Sequence, residues 1–379
     1  MIKNFFWILI TIVLSPLFYI RIFINKHKNK KQNILLISTG KIGDLVCTTP
    51  VFREIKKNFP DSYLVVGIRE QSHGVVQNNI HIDRFIFLNS EKYQGFWGEI
   101  KLIRELIKEK FILSINLSPR AFNTILPFWV GIPKRITSTS KFTGKMARIF
   151  SFFNSYRLEY KQHTSKLRHN LEILRFLEIK DFSEKKEVFT TSEEEKKAIK
   201  FLRENNLKED DFLIGISVTA GNKIKEWEPD KFCQLADRLI EELKAKIIFI
   251  GTPDDEALIS GMIGKMKNEV IPATSFKLNE LAALFKKLKL FISVDTGPLY
   301  IAHAVGTPVV DVVGPCDINE QPPRDDLSEL VYKRIDCWPC SFVIPPARYC
   351  KNKHSRCIKE ITVEDVFVAI IKLLERIYV

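Results

Sequence analysis

Hydrophobic positions follow three patterns in succession along this chain. The first is a nearly uncharged run, FFWILITIVLSPLFYIRIFI, from Phe5 to Ile24. It is long enough to cross a bilayer, which takes about 20 apolar residues. From Asn33 the pattern changes to short continuous apolar segments alternating with amphipathic ones: NILLIS, a helix through PVFREIKKNF, SYLVVGI, RFIFLN, a helix near 96–108, and FILSINLS. A second series begins at DFLIGISV (Asp211–Val218). It continues with a helix from Pro229 to about Leu243, AKIIFIG, a helix from Pro253, NEVIPA, a helix from Leu278, LKLFISVD, a short helix from Gly297, and PVVDVVG. Between the two series, SEEEKKAIKFLRENNLKEDD is charged and helical and reads as a linker.

Continuous apolar strands are strands covered on both faces, and their alternation with helices predicts an α/β fold with parallel sheets. Two such halves facing each other make a cleft, with ligands bound outside the carboxyl ends of the strands. The expected organisation is an anchor with a basic collar over residues 1–31, one α/β domain over 32–190 and a second over 191–379. That second domain ends in a cysteine-rich tail and an amphipathic closing helix, TVEDVFVAIIKLLERI. The segment from Arg135 to about Thr164, with STSKFTGKMARIFSFFNSYR, is basic and aromatic with little periodicity. It reads as a long irregular segment that covers an acceptor or touches lipid headgroups.

Composition sharpens this picture at two points. A net charge of +13 over 379 residues points to an anionic surface or anionic ligands. The apolar run is followed at once by NKHKNKKQ, while only Lys3 precedes it. Lysine and arginine collect on the cytoplasmic flank of a span, so the body is expected in the cytoplasm. No small-residue cleavage site follows the run, as a signal peptide requires. Pro16 leaves two arrangements, a spanning helix and one lying in a single leaflet. Three of the seven cysteines, Cys47, Cys233 and Cys316, sit singly in apolar or helical contexts, as buried thiols of a reducing compartment do.

Candidate chemistry begins at ILLISTGKIGDLV, where a strand turns at Gly40, Lys41 and Gly43 into a helix carrying Asp44. The spacing is neither a P-loop nor a dinucleotide fingerprint, which weakens ATPase and dehydrogenase readings. In LFISVDTGPLYIAHAVGTPVVDVVGPCD, a buried strand ends at Asp295, and Thr296, Gly297 and Pro298 open a helix. A hydroxyl and backbone donors at such a helix start suit a phosphate, although Asp295 or Thr296 also has the chemistry of a simple N-cap. GISVTAGNKIKEWEPDKF repeats the arrangement, with Thr219 after the strand, Lys223 and Lys225 in the loop, and Trp227 and Pro229 at the helix entry. FIGTPDDEAL ends another strand with Asp254, Asp255 and Glu256, suited either to a ribose or to the positive end of a helix.

Taken together, ILLISTGKIGDLVCTTPVFREIKKNFP, KEWEPDKFCQLADRL and SVDTGPLYIAHAVGTPVVDVVGPCD resemble glycosyltransferase family 9, the heptosyltransferases of lipopolysaccharide core assembly. The resemblance implies a GT-B-type pair of Rossmann-like domains and an ADP-activated heptose donor held by the carboxyl-terminal half. It implies a lipid-linked sugar acceptor held by the amino-terminal half, no nucleic-acid partner, and inversion without a required metal cofactor. It assigns Asp44 as catalytic base and Lys225, Asp295, Thr296 and Gly297 to the donor. The chain departs from the family where Tyr300 stands in place of a histidine, with His303 one turn later. Either His303 reaches the same ligand or Tyr300 signals a different donor. Transfer of another nucleotide-activated sugar, such as an N-acetylhexosamine, and a non-catalytic module binding nucleotide or polyanion are the competing readings. The tail CWPCSFVIPPARYCKNKHSRC places Cys337, Cys340, Cys350 and Cys357 together in sequence, as ligands of a structural zinc or as free thiols.

Overall fold

The computed structural model describes residues 2–28, 32–208 and 210–378, so Asn29, Lys30 and Lys31 of the basic collar lie outside the described residues. Contacts divide the chain into two compact units. The first holds residues 1–73 and 79–185, the second 74–78 and 186–379.

In the first unit a long helix α1 (Ile2–Lys28) precedes β1 (Asn33–Ile37), α2 (Ile42–Val46), α3 (Thr49–Asn58), β2 (Tyr63–Ile68), β3 (Arg84–Phe87) and α4 (Gly95–Lys108). Then follow β4 (Leu113–Asn116), α5 (Ala121–Val130), β5 (Lys134–Thr139), α6 (Lys145–Ser151), β6 (Tyr156–Glu159) and α7 (Lys166–Glu172). The six strands are parallel in the order β3-β2-β1-β4-β5-β6. β1 is buried at every residue, which is why its sequence, NILLI, shows no alternation.

The second unit contains α8 (Ser192–Glu204), β7 (Leu213–Ser217), α9 (Pro229–Leu243), β8 (Lys246–Ile250), α10 (Glu256–Ile263), β9 (Ile271–Ala273) and α11 (Leu278–Phe285). It continues with β10 (Leu290–Val294), α12 (Gly297–Ala304), β11 (Val309–Val313), β12 (Ser328–Tyr332), α13 (Arg356–Lys359) and α14 (Val363–Tyr378). Its sheet runs β12-β11-β10-β7-β8-β9, the same order as the first when read from the other edge. Each unit is therefore Rossmann-like. The strand order reverses between β1 and β4 in one unit and between β7 and β10 in the other, and such switch points are where doubly wound sheets hold ligands.

Two segments differ from their sequence reading. The basic, aromatic segment from Arg135 to Thr164 is regular structure: β5, α6 and β6. Its strands, KRITST and YRLE, are polar, so hydrophobic alternation gave no signal. The buried hydroxyls of β5 are satisfied by side chains instead, with Asn116 Nδ2 donating to Thr137 Oγ1 at 3.1 Å and Ser138 Oγ bonded to His169 Nε2 at 2.8 Å. The charged stretch from Ser192 belongs to the second unit as α8. A reciprocal cap starts it, with Glu194 taking the Thr191 N–H at 2.8 Å while Thr191 Oγ1 accepts from the Glu194 N–H.

The second core gathers Trp227, Phe232, Ile292, Val310, Val366 and Leu373, joining β7–β11 to α9 and α14. Trp227 is buried and its Nε1 donates to the Ile361 carbonyl at 3.0 Å, tying the chain before α14 to the entry of α9. Replacing Trp227 by Ala opens a large cavity and leaves the Ile361 carbonyl only its bond from Lys231 Nζ at 3.1 Å, at an expected cost of about 3–5 kcal/mol. Urea denaturation followed by circular dichroism measures it; a loss below about 1 kcal/mol rejects this role for Trp227.

Candidate active site

At the carboxyl end of β1 the chain turns at Gly40 and enters α2. The Lys41 N–H donates to Asp44 Oδ2 at 2.9 Å, so Asp44, half-buried, caps its own helix. Gly40 is required for this turn. A Cβ there would stand 2.7 Å from Asp44 Oδ2 and collide with the Asp44 Cβ. Gly43 is buried in the first turn of the helix and Lys41 is exposed.

Of two arginines that the sequence reading did not single out, Arg120 stands near this carboxylate and Arg69 stands near Arg120. Arg69 follows β2 and Arg120 follows β4, both at the carboxyl ends of strands next to β1. Shielding by surrounding protein lowers the Arg120 pKa; the Arg69 charge adds to that effect and the Asp44 charge opposes it. The end of this sheet thus holds one carboxylate among guanidinium groups. Such a set suits an anionic ligand that also has to give up a proton.

In the second unit, β7 and β10 are neighbours, and their carboxyl ends bring Lys225 to Asp295. Lys225 Nζ lies 2.6 Å from Asp295 Oδ2 and 3.2 Å from the Asp295 carbonyl. The Tyr300 hydroxyl donates to the other carboxyl oxygen, Oδ1, at 2.5 Å. Burial works against the charged form of both partners, but their mutual attraction outweighs it. Lys225 is held above its ordinary pKa and Asp295 below its own. The buried Cys316 thiol contacts both, and burial together with the Asp295 charge pushes its pKa well up. Asp311, on β11, is also fully buried, with no hydrogen-bond partner for either carboxyl oxygen among the described residues; burial and then the charge of Asp295 raise its pKa.

Thr296 is the N-cap of α12, and its hydroxyl makes no capping bond. Gly297 and Pro298 form the first turn, as their types predict. Lys225, Asp295, Thr296, Gly297 and Tyr300 therefore form one cluster. The other three donor candidates have different surroundings. His303 is bonded through Nε2 to Asp325 at 2.9 Å, one helical turn beyond Tyr300, and so is not shared with the Asp295 group. Asp254 is exposed in the turn after β8, where Asp255 is the residue that caps Thr252, at 2.8 Å. Thr219 is half-buried directly after β7.

From sequence, the four cysteines of the tail are open between structural zinc ligands and free thiols. Among the described residues no three His, Cys, Asp or Glu side chains converge closely enough to hold a metal. The four thiols are near enough to interact, since burial and then the other three push Cys357 up to about 11. What the tail does is brace loops of the second sheet. Ser341 N–H donates to the Pro315 carbonyl at 3.0 Å, Trp338 Nε1 to the Gly314 carbonyl at 3.0 Å, and Asn222 Nδ2 to the Ala347 carbonyl at 2.8 Å. Those loops carry Cys316 and Lys225. Sequence gave no sign of the bond between Asn222 and Ala347, because it joins segments 125 residues apart.

The sequence profile of glycosyltransferase family 9 (heptosyltransferase) matches residues 100–343. The chain belongs to this family. It is a glycosyltransferase of the lipopolysaccharide heptosyltransferase type. It is 26% identical over 340 residues to lipopolysaccharide heptosyltransferase 3 of Escherichia coli K12, covering 88% of this chain and 95% of that one. Its fold is similar to that of a family 9 glycosyltransferase from Veillonella parvula (TM-score 0.78, 22% identity, 91% and 97% of the two chains covered). It is also similar to the fold of the ADP-heptose lipopolysaccharide heptosyltransferase II of Escherichia coli (TM-score 0.70, 16% identity, 91% and 99% covered).

The ion pair carries a pH signature. A carboxylate held below its ordinary pKa adds stability above the usual carboxylate range, and that stability is lost as pH falls below about 4. A lysine held above its ordinary pKa adds stability that is full below about 10 and lost as pH rises beyond it. Replacing Lys225 by Met leaves Asp295 buried and unpaired, at an expected cost of about 3–5 kcal/mol at neutral pH. Asp295 then takes up a proton more readily when folded, so the cost shrinks on acidification toward pH 4. Denaturation at several pH values checks this; a cost independent of pH rejects the pairing.

Proposed function

We propose that this chain moves heptose from ADP-heptose to a lipid-linked saccharide of the lipopolysaccharide inner-core kind, with inversion at the anomeric carbon, at the cytoplasmic face of a bacterial inner membrane. The observation that carries the reading is the matched chemistry at the two switch points. One holds a carboxylate among guanidinium groups, the other a lysine–carboxylate pair at a helix start.

Asp44 is the base. A sugar hydroxyl becomes acidic as it attacks, and a carboxylate within hydrogen-bond reach then takes the proton, worth about 10²–10⁴-fold. Arg69 and Arg120 suit an acceptor bearing carboxylate or phosphate groups. Lys225 and the first-turn N–H groups of α12 oppose the charge that develops on the departing diphosphate, the role a divalent cation plays elsewhere. Asp295 fixes the position of Lys225, and Tyr300 fixes Asp295. The domain assignment follows: acceptor to the amino-terminal unit, donor to the carboxyl-terminal one. That a protein of similar fold is an ADP-heptose enzyme supports the same donor here. Tyr300, in the place of the family's histidine, favours a second reading in which another nucleotide sugar is the donor.

The test offers membranes containing the protein ADP-heptose and a panel of UDP- and GDP-sugars and measures nucleotide release. Turnover with ADP-heptose is expected. Turnover confined to another sugar nucleotide selects the second reading, and nucleotide binding without turnover on any acceptor makes the chain a binding module. Asp44→Asn keeps an oxygen to accept the Lys41 N–H, so the melting temperature should hold while kcat falls about 10²–10⁴-fold. An undiminished kcat removes Asp44 as the base.

A further inference from the structure

Helix α1 is long and apolar enough over Trp7–His27 to cross a membrane. It nevertheless lies along the first unit for most of that length. Near its start, Trp7 packs on Trp129 of α5 with ring centroids 4.5 Å apart, and Trp129 Nε1 donates to Thr11 Oγ1 at 2.9 Å. At mid-helix Phe18 meets Phe128 edge-on at 5.4 Å. Toward its end, Asn25 Nδ2 donates to the Gly131 carbonyl at 2.8 Å. Gly131 has φ of +82°, and a Cβ there would stand 2.5 Å from the Arg21 side chain, so glycine permits the close approach. At 1.5 Å per residue, Trp7 to Asn25 covers about 27 Å, close to the full thickness of the hydrocarbon layer.

The two faces of α1 are inverted relative to an ordinary surface helix. The packed face carries the polar anchors Thr11 and Asn25, while the face turned outward is mainly apolar up to Ile24, with Lys26 and His27 exposed at its end. Leu9, Ile12, Val13, Leu17, Ile20 and Phe23 are all more than half exposed. A water-facing helix places polar residues there. Neighbouring elements extend the surface. Trp97 on α4, beside the Phe96 that stacks on Trp7, is 77% exposed. Phe152, just after α6, is 73% exposed. α6 shares the aromatic cluster of α1 and α5 and borders a cavity of about 630 Å³ whose charged lining is Lys141, Lys145, Arg148 and Arg157 against the carboxylate of Glu159.

We propose that α1 does not leave the protein body to span the bilayer but lies in the membrane plane, docked on the amino-terminal unit. Its apolar face sits in the interfacial layer of an anionic leaflet, and the cations of the α6 cavity take lipid phosphates. Two features favour an anionic bilayer as the occupant: apolar side chains flanked by exposed aromatics, and a neighbouring cationic rather than acidic rim. Spanning would either drag α5 into hydrocarbon or break the bonds at Thr11 and Asn25. The inference rests on the membrane reading above but not on the donor or acceptor, and it is read without turnover.

The full chain should float with vesicles of phosphatidylethanolamine and phosphatidylglycerol, and bind phosphatidylcholine vesicles less. Ile20→Glu with Phe23→Glu should weaken vesicle binding more than about tenfold and leave the melting curve unchanged, since both side chains point outward. In sealed inverted inner-membrane vesicles, protease added outside should remove an epitope tag placed before Met1 together with the body of the protein. A protected tag beside a digested body means a spanning helix and overturns the proposal. A stable dimer indifferent to vesicles, and split by the same double substitution, assigns the face to a second copy and overturns it as well.

Discussion

The buried pair between Lys225 and Asp295 is the interaction on which the second unit depends. Two charges removed from water destabilise a fold unless each is met closely by the other and by further hydrogen bonds. Here the parallel pairing of β7 with β10 sets the two side chains 2.6 Å apart, and Tyr300 engages the remaining carboxyl oxygen. Cys316 closes the group from the loop after β11, and the cysteine tail holds that loop in place. In the proposed reaction, the same pair that would destabilise if broken is the one that meets the donor diphosphate, so that reaction draws stability and donor chemistry from a single arrangement.

In the first unit the corresponding constraint is steric. Asp44 caps the short helix α2 and also faces the strand end where an acceptor binds in the proposed reaction. Both uses require the chain to turn without a side chain at Gly40, because any Cβ would meet the Asp44 side chain. Arg69 and Arg120 reach the same place from the strands on either side of β1. The order of strands, not their separation in sequence, decides which charged groups share the strand end.

Helix α1 shows how tertiary packing changes the meaning of a hydropathy pattern. A run of apolar residues fits a span, an in-plane anchor or a buried helix equally well by composition. Thr11, bonded to a tryptophan side chain, and Asn25, bonded to a backbone carbonyl, distinguish these, because both partners belong to the folded unit. The polar residues Thr11, within the run, and Asn25, just after it, are the ones that dock it.

From sequence alone, the two series of buried parallel strands were legible, since residues covered on both faces must be apolar whatever surrounds them. So were the turns at Gly40–Asp44 and Asp295–Gly297, because strand ends that open helices need particular residue types. What tertiary structure decided was pairing. β5 and β6 are polar and were invisible to hydrophobic periodicity, the buried hydroxyls of β5 being satisfied by partners such as Asn116 and His169. α5, with Pro127 inside it and nearly every residue buried, carries no amphipathic signal. His303 is bonded to Asp325, and among the described residues the four cysteines, close in sequence, do not converge as a metal site would. Local sequence fixes which residues prefer strands, turns and helices through steric and solvation terms that act over a few positions. Which charges meet depends on contacts across 70 residues or more, as between Lys225 and Asp295, and only the folded chain brings those together.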